Sequence, residues 1–319
     1  MSATQSLERR TVERVPVATL SNGHRLELVI HRVTGSEPGP RLVVIGGIHG
    51  DEPLGVETVR QFVLGLDPDR FVGEVIALPV ANAYAFQSLT RNTPLDMSNL
   101  NRVFPGDPDG VLTEQLARTI VDALLPGCDT LIDFHSGGNL ATVDYVYMHD
   151  EGPLSQAFGC EILYRSPSFA GTLGDYARSC GVKVVVSELG GGQQLNEHYI
   201  AKGLRGAHNV MKSLGMLEGE LELPERQVIV ERMAYIRPHE GGMMLSNVTA
   251  SRLGEAVPAG FELASIVDPA TFEVLEVITA PFDPSLLVLV REPVTKVDPG
   301  DYGFIIADGS TAETVGGRP

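Results

Sequence analysis

Basic residues are scarce and scattered in this chain: 24 Lys and Arg against 41 Asp and Glu leave a formal net charge of −17. No Lys/Arg cluster is present, and sequence-independent nucleic-acid binding needs cations to neutralise phosphates, so that class of function is excluded. An anionic membrane surface is excluded for the same reason. The three cysteines, Cys128, Cys160 and Cys180, are odd in number, widely spaced and form no CxxC, which leaves neither a disulfide framework nor a thiolate zinc site. No stretch approaches the ~20 apolar residues of a membrane span. The opening MSATQSLERRTVERVPVATL mixes charges where a secretory signal carries its apolar region. A soluble, cytoplasmic protein is therefore expected.

What the sequence does have is an ordinary globular composition, 43% apolar and 20% charged over 319 residues, enough for one large domain and a smaller one. Apolar, β-branched runs recur with helical segments between them: residues 25–33, 41–47, 74–80, 129–135, 144–150 and a run ending at Leu189. That alternation predicts an α/β fold with a mostly parallel, mixed sheet flanked by helices. Val56, Val59, Val63 and Leu66 share one helical face, as do Leu112, Leu116, Ile120 and Leu124. Ile200, Leu204, Ala207, Met211 and Leu214 repeat with a coiled-coil-like period, which a single core-facing helix explains more simply than a dimer zipper. After Leu217 the texture changes to short runs punctuated by Gly and Pro. The predicted organisation is an α/β domain over residues 1–225 and a smaller all-β domain over 226–319, with ADGSTAETVGGRP as a loose tail.

Chemistry concentrates where strands end. RLVVIGGIHGDEPLG places His49 and Glu52 just past an apolar strand, TLIDFHSGG ends another with His135, and VKVVVSELGGG delivers Glu188. Ligands of open parallel sheets bind outside the carboxyl ends of the strands, so all four residues are predicted to converge. Two imidazoles and one carboxylate, from His49, His135 and Glu52, leave a tetrahedral zinc one position for water, the arrangement of a hydrolytic rather than a structural site. Glu188 is placed to act as general base and then general acid. Gly190, Gly191 and Gly192 behind it let a substrate approach the backbone. Ser136 and Ser187 lie next to key residues, but no GxSxG elbow accompanies them, so hydrogen bonding is their expected role.

The segment from Val80 to Val111 is rich in turn-forming residues and long enough for an active-site loop. Within it, Asn101 and Arg102 can clamp a carboxylate by amide and paired guanidinium N–H bonds. Arg91 can supply positive charge to a developing oxyanion, or can be a solvated surface arginine.

Together GGIHGDEPLG, RNTPLDMSNLNRVFPGDPDG, DFHSGG and SELGGG resemble the succinylglutamate desuccinylase/aspartoacylase family of zinc amidohydrolases, relatives of the zinc carboxypeptidases. The resemblance runs from about Leu42 to Gly192. It implies that His49, Glu52 and His135 are ligands for one zinc ion per chain, that Glu188 is the catalytic glutamate, that Asn101 and Arg102 hold a substrate carboxylate, and that Arg91 polarises the scissile carbonyl. NLNRVFPGDPDG with DFHSGG and ELGGG looks closest to the deacylases that act on N-acetyl-diaminobutyrate. Many relatives read DLNR where this chain reads NLNR, so Asn99 stands where a carboxylate would orient a zinc-bound histidine. Arginines that read the acyl side chain in aspartate-releasing members have no secure counterpart; Arg165 is a candidate. The C-terminal region resembles the lipoyl-like sandwich often appended in this family. Its hairpin, DPATFE, lacks the carrier lysine, which implies an unmodified structural or gating domain.

The resulting expectation is a hydrolase of linear amide C–N bonds that releases a carboxylate and a free amine from a small N-acyl amino acid. A metallocarboxypeptidase acting on short peptides is the nearest rival, decided by whether the site is a capped pocket or an open groove, and a zinc-retaining binding protein without catalysis is a third reading. The acidic surface favours a zwitterionic or amine-bearing substrate over a dicarboxylate. No nucleic-acid or membrane partner is expected, and assembly into a homo-oligomer is left open.

Overall fold

A computed structural model of the chain describes residues 9–149, 152–191 and 196–315. The first half lays down β1 (Arg10–Thr19), β2 (Arg25–Thr34), β3 (Arg41–Ile45), α1 (Pro53–Gly65), β4 (Glu74–Leu78), α2 (Ala83–Ser88), α3 (Leu112–Leu124) and β5 (Thr130–His135). There follow β6 (Ala141–Met148), α4 (Gly152–Phe158), β7 (Ile162–Arg165), α5 (Leu173–Ser179), β8 (Lys183–Gly191) and α6 (Glu197–Ser213). Strands β9 (Gln227–Val230), β10 (Met233–Ile236), β11 (Gly242–Ser246), β12 (Ala256–Val257), β13 (Glu262–Val267), β14 (Val274–Thr279), β15 (Ser285–Arg291), β16 (Val294–Val297), β17 (Phe304–Asp308) and β18 (Glu313–Val315) complete the chain.

Among the described residues the larger sheet has 14 strands, with a central path β1-β2-β4-β3-β5-β8-β6-β15-β17-β10. Its middle, β4-β3-β5-β8, is parallel. Strands buried on both faces read as continuous apolar runs rather than alternating ones, and β3 shows why. Leu42 and Val44 face one core with Val59, Phe62 and Met211 of α1 and α6. Val43 and Ile45 face a second core with Leu116, Ile120 and Leu124 of α3. Helices therefore cover both sides of the sheet. Ile200, Ala207 and Met211 of α6 are buried in the first core, with Leu204 and Leu214 packed against it, as a single core-facing helix requires. No helix among the described residues is long and apolar enough to cross a membrane.

The C-terminal region is all β among its described residues, apart from two single 3₁₀ turns. Strands β14-β13-β11-β16 form a second, antiparallel sheet. Its apolar face, including Met244 and Ile266, packs on Leu287 and Phe304 of β15 and β17. Those two strands also extend the main sheet, because β15 pairs with Ala141–Val143 of β6. The expected loose tail begins differently. Ala307 and Asp308 end β17, the Asp308 side chain accepts the Ser310 N–H at 3.1 Å, and Glu313–Val315 form β18 against β9. The free edge of β9 recruits this small polar segment through backbone pairing, which composition does not reveal. Residues 316–319 lie outside the described residues, as does Gly192.

Candidate metal centre and its cavity

The site is built at the carboxyl rim of β3, β5 and β8. After β3 the backbone passes Gly46 and Gly47 and runs against α2: a Cβ on Gly50 would lie 1.8 Å from the Ala85 carbonyl carbon, so only glycine fits there. This tight crossing fixes His49 and brings Glu52 to the start of α1, where Pro53 opens the first turn. On the next strands His135 and Glu188 are direct register partners across β5 and β8, which puts both side chains on one face.

One nitrogen from His49, one from His135 and a Glu52 oxygen all lie within 4.8 Å of one another, and the three residues are buried. Each imidazole faces Glu52 with Nδ1: His49 at 2.8 Å from Oε1 and His135 at 2.9 Å from Oε2. Each outer nitrogen meets an acceptor, His49 Nε2 at 3.2 Å from Asn99 Oδ1 and His135 Nε2 at 3.1 Å from Asp133 Oδ2. The same Asn99 oxygen accepts the Asn101 N–H at 2.9 Å, which identifies it as the amide oxygen. Nε2 of His49 is therefore a donor, and its Nδ1 lone pair points at a carboxylate. Two acceptors at that distance need a proton or a cation between them, and a buried pair of histidines sharing one carboxylate fits a divalent metal.

Electrostatics treat the two histidines differently. Burial lowers the pKa of His49 and outweighs the opposing pull of Glu52, favouring the neutral, ligating ring. Burial also opposes charge on His135, but Asp133 and Glu52 together raise its pKa well above 6.5. Burial works against an ionised Glu52, yet the two histidines hold its carboxyl far below the usual range. Burial pushes Glu188 up to about 8, with Glu52 adding to the effect and His135 opposing it.

A cavity of about 360 Å³ opens over this cluster. The catalytic-domain model for succinylglutamate desuccinylase/aspartoacylase matches residues 38–214, more than half the chain. The chain belongs to the succinylglutamate desuccinylase/aspartoacylase family. It is 30% identical to the N-alpha-acetyl-L-2,4-diaminobutyric acid deacetylase of Halomonas elongata, over 97% of this chain and 95% of that protein. Among solved structures, a succinylglutamate desuccinylase/aspartoacylase from Rhodobacter sphaeroides superposes with a TM-score of 0.82 at 27% identity, covering 94% of this chain and 95% of that one. The ectoine utilization protein EutE of Ruegeria pomeroyi, solved with product bound, gives a TM-score of 0.81 at 25% identity over 94% of each chain.

In this member of the succinylglutamate desuccinylase/aspartoacylase family, His49, Glu52, Arg91, Asn101, Arg102, His135 and Glu188 all face the one cavity. Arg91 reaches Glu52 Oε1 at 3.3 Å from an exposed position. Arg102 donates to the Asn101 carbonyl at 2.7 Å, and the Asn101 amide oxygen accepts the Leu173 N–H at 3.0 Å while its nitrogen lies 3.4 Å from His135 Nε2. The segment carrying them is not a plain loop: it holds α2, capped by Asn82, and a single 3₁₀ turn at Leu100–Arg102. Arg165 does not join the site; it pairs with Glu231 on a separate surface hollow. Ser136 and Ser187 are buried without a partner for either hydroxyl, while the Ser136 backbone N–H donates to Glu52 Oε2 at 3.2 Å. The DPATFE turn joins β13 to β14 and keeps Phe272 exposed in the left-handed region.

Asp133 is the residue that sequence reading passed over. Its signal was present, since Asp and His two apart on a strand share a face. Tyr145, Tyr147 and Asp175 also line the cavity, as do Tyr235, Arg237, Leu289, Tyr302 and Ile305 from the C-terminal region.

Proposed function

We propose that this protein is a zinc-dependent deacylase that hydrolyses the amide of a small N-acyl amino acid. The observation that carries it is the buried His49–Glu52–His135 cluster sharing one cavity with Glu188 and three arginines. Zinc, when bound there, supplies Lewis acidity and a positive charge that favours the ionised form of Glu188. Glu188 takes a proton from the attacking water and delivers it to the departing nitrogen. Arg91 offers its guanidinium to the carbonyl oxygen as negative charge develops. Arg102 and the Asn101 amide hold the carboxylate of the amino acid and so orient the amide between Glu188 and Arg91.

A capped pocket favours acylated amino acids over peptides, and the C-terminal region supports that choice. Tyr235, Arg237, Leu289, Tyr302 and Ile305 of that region add to the wall of the cavity and narrow it. The name of the Halomonas elongata relative adds support for an acetyl group as the acyl part. In this proposal the region after residue 226 acts as a structural wall, with no carrier role. The test is metal analysis of the purified protein followed by a hydrolysis panel of N-acetyl, N-succinyl and N-formyl amino acids and short peptides. Turnover of acyl amino acids, lost on chelation and regained with zinc, is expected; turnover of peptides alone overturns the proposal.

A further inference from the structure

The second sheet has two faces, and the strands are apolar on both. Met244, Ile266, Ile278 and Val297 point inward to the core shared with β15 and β17. The residues that alternate with them point the other way. Val277 of β14 pairs with Ser265 of β13, Ser265 with Leu245 of β11, and Leu245 with Val294 of β16, one row across all four strands. A second row runs through Val274, Val267, Met243 and Lys296 by the same pairings. Six of these eight outward residues are apolar. An antiparallel sheet with one face in water alternates apolar and polar side chains, and this one departs from that rule on its outer face.

The turn that leads into β14 adds an aromatic side chain. Phe272 is 79% exposed and has a left-handed backbone with φ of 66°, a costly conformation for a bulky residue. Local hydrogen bonds hold it there: the Phe272 N–H donates to the Asp268 carbonyl at 2.9 Å, and the Asp268 side chain accepts the Ala270 and Thr271 N–H groups at 2.7 and 3.1 Å. A preorganised, exposed aromatic residue is the kind of anchor that protein interfaces use. We propose that this face is where two copies of the chain pair, outer sheet against outer sheet about a two-fold axis.

Area and charge select a second copy as the occupant. Met243, Phe272, Val274, Val277 and Val294 are between 39% and 79% exposed, on the order of 600 Å² together, the upper end for a patch left open on a monomer and near the roughly 800 Å² that each partner buries in a stable dimer. Leu245 and Val267, partly exposed, lie between them. The net charge of −17 makes copies repel wherever carboxylates face each other. Within the two rows the one charged side chain is Lys296, which pairs with Asp298 at 3.2 Å, and Glu262 stands at the far end of β13, opposite Thr279 and beyond both rows. The same face on a second copy therefore buries no unpaired carboxylate, whereas a basic partner finds no acid within the rows to hold it. Packing of two twisted sheets face to face with interdigitated apolar side chains is an ordinary arrangement, and a two-fold axis makes it self-complementary.

The test is sedimentation equilibrium of the full chain over a wide concentration range, which is expected to give twice the mass of one chain. Val277→Glu should weaken dimerisation by roughly 100-fold or more, because two-fold symmetry sets two unpaired carboxylates into the same apolar contact. Val294→Lys, at the opposite edge of the face, should do the same. Leu64→Glu, at a similarly exposed apolar position on α1, should leave the dimer intact. Far-UV circular dichroism checks that each variant is folded, and Phe272→Ser replaces either one that is not. A parent protein that stays monomeric at every concentration overturns the proposal, and so does a dimer that persists in both Val277→Glu and Val294→Lys. Binding of a monomeric parent to phosphatidylcholine vesicles, lost in Val277→Glu, gives the face to a lipid surface and overturns it as well.

Discussion

Asp133→Asn separates two consequences of placing a carboxylate behind a histidine proposed to bind metal. Asp133 is 1% exposed and its Oδ2 lies 3.1 Å from His135 Nε2, so the substitution keeps size and an acceptor oxygen while removing the charge. That charge makes the imidazole a better ligand, an effect worth about 10- to 100-fold in metal affinity, or ~1.4–2.7 kcal/mol. The same charge helps raise the pKa of His135, so a proton competes harder for the ring. Below that pKa the parent's affinity falls about tenfold per pH unit. In the variant the pKa drops and competition starts at lower pH. Zinc affinity, measured by chelator competition on metal-free protein from about pH 6 to 9, is therefore expected to show its largest deficit at the alkaline end and a shrinking one on acidification. Equal affinities at every pH would refute the role given to Asp133. A deficit that grows as pH falls would refute the proton-competition reasoning.

Glu188→Gln should retain zinc, checked by metal analysis, while lowering kcat by about 10²- to 10⁴-fold, the usual worth of a positioned acid–base group. Arg102→Ala should lower kcat/KM by about 10- to 100-fold for an N-acyl amino acid and far less for its α-amide, which offers no carboxylate to hold. Lys202 is 3% exposed and ties α6 to β6 through Asp144 at 2.5 Å, with Glu161 as its other partner. Lys202→Met should destabilise the fold by about 1–3 kcal/mol in urea unfolding, because half-buried Asp144 loses its counter-charge, and a second substitution, Asp144→Leu, should restore part of the loss.

The centre of the fold was legible because β3, β5 and β8 are buried on both faces, and their apolar runs stop abruptly at His49, His135 and Glu188. A change from Val and Ile to imidazole and carboxylate within two residues marks the rim of a sheet without any three-dimensional information. Elements lacking that contrast escaped. Strand β1 carries Arg and Glu in an exposed alternation, β7 spans only four residues, and α2 lies inside a segment dominated by turn-forming residues. Asp133 is hard to single out in the sequence because it lies inside the strand, two positions before its partner His135 at the rim. The order β6-β15-β17 was beyond reach for a different reason: which distant strand takes a free edge depends on long-range backbone pairing, to which side-chain pattern contributes little.

That strand order has a consequence for biogenesis. Tyr145 and Val143 reach the cavity from β6, and the edge of β6 is closed by β15, whose own neighbour β17 supplies Ile305. Protein synthesis runs from the other end, so His49, Glu52 and His135 can gather early while one wall of the cavity is still untranslated. Until the last strands dock, a nascent or truncated chain presents this hollow with the wall from β15 and β17 missing.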